Sequence, residues 1–103
     1  MGDGITEQQV DETQSSLDEA RARVTALDAA VSQSAEVARI TQLSRDVGEG
    51  TQTDYLMAEA SLFRARSSLV QARHAEIAAR VELARVLGEL SRPWIASSLE
   101  SLP

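Results

Sequence analysis

Among its 103 residues the chain has no cysteine, two prolines and a single Trp, Tyr and Phe, and all ten of its cations are arginine. The missing cysteines exclude a disulfide framework and a thiolate zinc site, and they fit the cytosol and the periplasm equally well. The scarcity of aromatic and β-branched runs removes the residue types that build strands. No apolar run approaches the length of a membrane-spanning helix, and Met1-Gly2-Asp3-Gly4 lacks the basic and apolar regions of a signal peptide. The chain reads as soluble, or as a soluble piece of something larger. Its arginines are scattered, whereas counterion release on a phosphate backbone needs a concentrated basic face, so nucleic acid is not expected as a partner.

Catalytic apparatus is also missing. There is no Gly-rich phosphate loop after a strand, no Ser/His/Asp set and no pair of carboxylates in an apolar setting. His74 is the only histidine, with Glu76 alone at a usable spacing. The chain is therefore expected to have no enzymatic activity, cofactor or metal site.

What is present is Ala, Leu and Val in helical rhythm. Two helices alone cannot enclose a core of the usual depth, so burial is expected between hairpins as well as within one. The net charge of −6 is unevenly spread: residues 1–50 hold ten acids and four Arg, residues 51–103 six of each. The first helix carries the whole imbalance.

Helix one is expected to begin at Thr6, where Thr6 and Gln9 have capping-box spacing and Ile5 and Val10 can close around them as a hydrophobic staple. Glu7, Asp11 and Glu12 then offset the positive end of the helix dipole. Val10, Leu17, Val24, Val31 and Ala38 recur every seven residues, with Ala20, Leu27, Ala30, Val37, Ile40 and Leu43 widening the stripe. The pattern fades at Arg45-Asp46. Gly48 and Gly50 are read as supplying positive φ angles that end the helix and reverse the chain. Thr51 or Thr53 restarts it, and Thr51 would place Asp54 at capping-box spacing in the first turn.

Three heptad series follow: Leu56, Phe63, Val70, Ile77, Ala84; Leu62, Leu69, Glu76, Leu83, Leu90; and Ala58, Ala65, Ala72, Ala79, Val86. Three apolar series make a face wider than a two-stranded seam needs, so this helix wants more than one neighbour. The strict sevenfold interval also predicts a shallow left-handed supercoil. The second helix should start near Gln52 and lose its signal between Gly88 and Leu90, because Ser91-Arg92-Pro93-Trp94 interrupts it. Trp94, Ile95, Leu99 and Leu102 would fold back onto the helix ends, with Trp94 as anchor. The fold class is thus all-α, a long antiparallel two-helix coiled-coil hairpin: an N-terminal extension over 1–5, helix one over 6–46, a tip over 47–53, helix two over 54–90 and a tail over 91–103.

The stretch from Gly48 onward resembles the helical hairpin of the TolC-like outer membrane efflux family. Gly48, Thr51, Asp54, Leu56, Ala58, Leu62, Ala65, Leu69, Ala72 and Leu87-Gly88 fill the family's positions without a gap. Arg45 stands where an aromatic residue is common, and the second glycine, Gly50, is also unusual. The resemblance implies one repeat of a periplasmic α-helical tunnel, excised or truncated from a homotrimeric channel of the periplasm and outer membrane, without the β-barrel that is such a channel's only contact with the membrane. It further implies that the tip docks to a periplasmic adaptor, or membrane fusion protein, and that no residue performs chemistry.

The partner-binding residues would be Arg45, Val47, Gly48, Glu49, Gly50, Thr51, Gln52, Thr53 and Asp54, although the glycines serve equally to turn the chain. Asp46, Glu49 and Asp54 could ring a pore entrance in a trimer. The row Glu59, Arg66, Arg73 and Arg80 would line a tunnel, bridge to helix-one acids or simply flank the apolar face in solvent. Two other readings fit the same pattern: a generic antiparallel coiled-coil scaffold, and the hairpin of an adaptor protein. The exposed apolar face is expected to promote self-association.

Overall fold

In the computed structural model, which describes residues 6–100, two helices pack against each other as a hairpin: α1 over Glu7–Asp46 and α2 over Gln52–Glu100. No strand occurs among the described residues, and no helix there is long and apolar enough to cross a membrane. The all-α hairpin expected from the periodicity is the architecture observed. The extension over residues 1–5, the Ile5 half of the staple, the side chains of Trp94 and Ile95, and Leu102 lie outside the described residues.

Both helix starts follow from side-chain chemistry. The Thr6 hydroxyl accepts from the Gln9 N–H at 3.1 Å, and the Gln9 side-chain oxygen accepts from the Thr6 N–H at 2.9 Å. This closed capping box satisfies two backbone donors that the first turn leaves without partners. At the start of α2 the Thr51 hydroxyl accepts from the Asp54 N–H at 3.0 Å.

The chain divides into two compact units, residues 22–74 and residues 1–21 with 75–103. In the first, Ala38, Ala58 and Leu62 form the buried cluster, with Val31 and Ala35 packed against it, and Leu69 and Ala72 are buried further along α2. Ala58, Leu62, Ala65, Leu69 and Ala72 alternate steps of four and three, the rhythm that keeps one helix edge on its neighbour. In the second unit Leu17 and Val86 are buried, with Val10, Ala20, Ala79 and Leu83 half-buried around them. Glu76 falls in the half-buried apolar register of that unit, and two arginines meet it: Arg21 from α1 at 3.8 Å and Arg80 from its own helix at 3.3 Å.

Of the three series on α2, the Ala58 series and the Leu62 series as far as Leu83 are thus the covered ones, and Leu90 is exposed. The Leu56 series is left out: Leu56, Phe63, Val70 and Ile77 are all exposed, Phe63 to 71%. On α1, of the residues expected to widen the stripe, Ala20, Leu27 and Ala30 are half-buried, whereas Val37, Ile40 and Leu43 are likewise exposed. A single neighbouring helix covers an apolar stripe about two heptad positions wide, and the remainder faces outward.

The end of α2 corrects the expected boundary. The helix passes through Leu87-Gly88, Leu90 and Pro93 and continues to Glu100, with Leu99 exposed along it, so residues 91–100 are not a separate tail folded onto the helix ends. Gly88 does not take a positive φ and makes no close approach. Pro93 lacks the N–H that would reach the carbonyl of Glu89, but the segment is solvent-exposed, where water can take up a freed carbonyl. One turn earlier the Ser91 hydroxyl donates to the Leu87 carbonyl at 3.0 Å.

On the outer faces, Arg39 bridges to Glu36, and Arg85 bridges to Glu82 and Glu89. The Arg39 and Arg85 guanidiniums hold the Glu36 and Glu82 carboxyls below the usual glutamate value, chiefly by hydrogen bonding. A carboxyl whose pKa is lowered on folding adds stability above its unfolded value and loses it as pH falls through the lowered one. These two pairs therefore weaken on acidification.

The adjacent residues Leu62 and Phe63 separate the covered seam from the uncovered stripe. Leu62→Ala is expected to cost about 2 kcal/mol or more in urea unfolding followed by circular dichroism. Phe63→Ala should change the stability of the monomer by less than about 0.5 kcal/mol and instead reduce self-association in sedimentation velocity.

Candidate functional site

The tip is built by the exact demands of ending one helix and starting another within five residues. The last carbonyls of α1 have no intrahelical donors, and the turn supplies them. The Gly48 N–H donates to the Arg45 carbonyl at 3.0 Å and the Glu49 N–H to the Ser44 carbonyl at 2.8 Å. With Gly48 at φ +82°, this pair of bonds is a Schellman cap, whose left-handed residue is glycine because L side chains rarely adopt that backbone conformation. The Gly50 N–H adds a second bond to the Ser44 carbonyl at 3.0 Å.

Gly50 was expected to share the positive φ, and it does not. Its requirement is contact: a Cβ at this position would lie 3.1 Å from the Ser44 Cβ and 3.2 Å from the Arg45 backbone nitrogen. Gly48, by contrast, has open space where its Cβ would be, so conformation alone selects glycine there. The two glycines answer two different constraints.

Arg45 is drawn inward. Its guanidinium lies 4.0 Å from the centroid of the Tyr55 ring, its Nη1 donates to the Gln52 side-chain oxygen at 3.2 Å, and its Nη2 lies 3.6 Å from Asp46. The side chain is about one-third exposed. It thereby ties the last turn of α1 to the first turn of α2, and a cation over an aromatic face adds attraction beyond the hydrogen bond. Tyr55 was not singled out from the sequence. The available signal was the only tyrosine of the chain in the first turn after the reversal, with an arginine in the last turn before it.

The other expected tip residues besides the glycines, Val47, Glu49, Thr51, Gln52, Thr53 and Asp54, are exposed, Val47 to 68%. Asp54 also contributes to an open groove lined by Val37, Thr41, Met57, Ala58 and Ser61, which the sequence reading did not identify. Of the acids considered as a pore ring, Asp46 is engaged with Arg45. The arginine row meets mixed fates. Arg73 approaches Asp28 of α1 at 3.9 Å, Arg80 pairs with Glu76, and Arg66 forms no ion pair among the described residues. The Arg73–Asp28 pair is more than half exposed on both sides and is worth about 0–1 kcal/mol. His74 is exposed, and no cluster of metal-ligating side chains occurs among the described residues.

The glycine assignments predict opposite responses to asparagine. Gly48→Ala should cost about 1–2 kcal/mol of stability, and Gly48→Asn should recover much of the loss because Asn tolerates the left-handed region. Gly50→Ala should also destabilise, yet Gly50→Asn should recover nothing, since the obstacle is the Ser44–Arg45 backbone. Urea unfolding of the four variants checks both.

No protein-family model, curated protein or solved structure matches the chain.

Proposed function

We propose that the chain is a wall element of a multi-helix assembly, in the manner of the periplasmic tunnel of TolC-like efflux channels, with its tip as the docking end. The observation that carries this reading is the uncovered apolar surface of residues 22–74. Leu56, Phe63 and Val70 are exposed on α2, and Val37, Ile40 and Met57 are exposed as well. The first three share one heptad position, as residues meeting a further helix do. A helix pair that keeps this much apolar surface after pairing is suited to stand beside other helices.

The transport part of the proposal comes from the resemblance of Gly48, Thr51, Asp54 and the heptads that follow. In that reading the mechanism is passive. Hairpins of a homotrimer enclose a conduit, Val47, Glu49 and Thr53 meet the hairpin of a periplasmic adaptor, and the driving energy comes from a pump elsewhere. A second reading, a coiled-coil scaffold without a transport role, is favoured by one observation: α2 runs on through Leu87-Gly88, where the tunnel hairpin would close.

Photo-cross-linking in cells that make the protein separates the two. With a photoreactive residue at position 63, the channel reading expects self-adducts of three-chain size in the envelope fraction. With one at position 53, it expects an adduct with a periplasmic adaptor protein in the same fraction. Recovery in the cytosol, or adducts of neither kind, would overturn the channel reading and leave the scaffold.

A further inference from the structure

We infer that Arg45 is the positioning residue of the tip, a latch that presets the docking surface from behind. In this respect it differs from its neighbours in the loop. Val47, Glu49, Gln52 and Thr53 are exposed, whereas the Arg45 guanidinium is already engaged by the Tyr55 ring at 4.0 Å, the Gln52 oxygen at 3.2 Å and Asp46 at 3.6 Å. The engaged groups lie on both sides of the reversal, so closing the latch fixes the end of α1 against the start of α2. Between those two anchors hang the residues whose N–H groups converge on the carbonyls of Ser44 and Arg45. Gly50 lets this loop sit close against Ser44 and the Arg45 nitrogen, where a Cβ would come within 3.1–3.2 Å. A preset surface spares a partner the ordering cost that a loose loop would impose. Arg45 thus acts on docking through the shape of Val47–Thr53, without contacting the partner. This role rests on the tip being the docking end, while the latch itself is a property of the isolated chain.

Amide hydrogen exchange on the full chain tests it. Removing the stack, by Arg45→Leu or Tyr55→Leu, should speed exchange at Glu49 and Gly50 by about two- to fivefold, with the double variant no faster than either single one. Arg45→Lys should be intermediate, since ammonium can sit over the ring but cannot also reproduce the planar fork to Gln52 and Asp46. In the wild type the Arg45 side-chain protons should carry a ring-current shift that Tyr55→Leu abolishes. Circular dichroism confirms that each variant is folded, and Tyr55→Leu stands in should Arg45→Leu not fold. Unchanged exchange together with an absent ring-current shift would overturn the latch, whatever the tip binds. Faster exchange in the variants with no adaptor-hairpin binding by the wild type would leave the latch standing and defeat the docking reading. Equal adaptor binding by wild type and Arg45→Leu would overturn the positioning role.

Discussion

One helix can cover another along only a narrow edge, and this limit shapes everything else in the hairpin. Side chains at alternating steps of three and four lie on one edge, so Ala58, Leu62, Ala65, Leu69 and Ala72 turn together toward α1. The buried residues are Ala and Leu except for Val86, and the small side chains of Ala38, Ala58 and Ala72 favour close approach of the helices. Any apolar residue outside that edge must stay in solvent until another surface arrives. Phe63, the only phenylalanine, is left outside although its neighbour Leu62 is buried. The covered seam accounts for the hairpin, and the uncovered remainder is the physical ground for expecting an assembly.

At the tip a second constraint dominates, the need to satisfy backbone groups where two helices end and begin. Several residues at the tip are committed to closing the turn. Gly48 supplies the conformation, Gly50 the clearance, Thr51 the cap and Arg45 the tie across the reversal. What remains exposed and uncommitted is correspondingly small: Val47, Glu49 and Thr53. A docking surface made of so few side chains depends on being held in one shape, and for that reason the residue behind it counts for as much as those on its face.

Local features were legible wherever their chemistry is local. Thr6 with Gln9, Thr51 with Asp54, and the positive φ of Gly48 all depend on residues within a few positions of one another, and each is found as the spacing implies. Gly50 was misread because glycine answers to both conformation and crowding, and crowding against Ser44 is invisible until the chain has turned. The end of α2 was misread at Pro93, since a proline forbids one hydrogen bond but does not by itself end a helix whose freed carbonyl faces water. The Arg45–Tyr55 stack escaped notice because a distance of ten residues across a reversal has no periodic signature.

Periodicity and capping by themselves determined that this chain is two helices joined by one tight turn, for a repeat of seven and a glycine between two capping sites admit little else. They also determined that three apolar series on α2 exceed what one partner can cover. Only the tertiary structure decided which two series are covered and which is left to solvent, because on an isolated helix the Leu56, Leu62 and Ala58 series are equivalent claimants to the seam. It likewise decided that Arg45 turns inward, since a guanidinium with a ring, an amide oxygen and a carboxylate all within reach gains more there than in water, and those three groups meet only once the hairpin has closed.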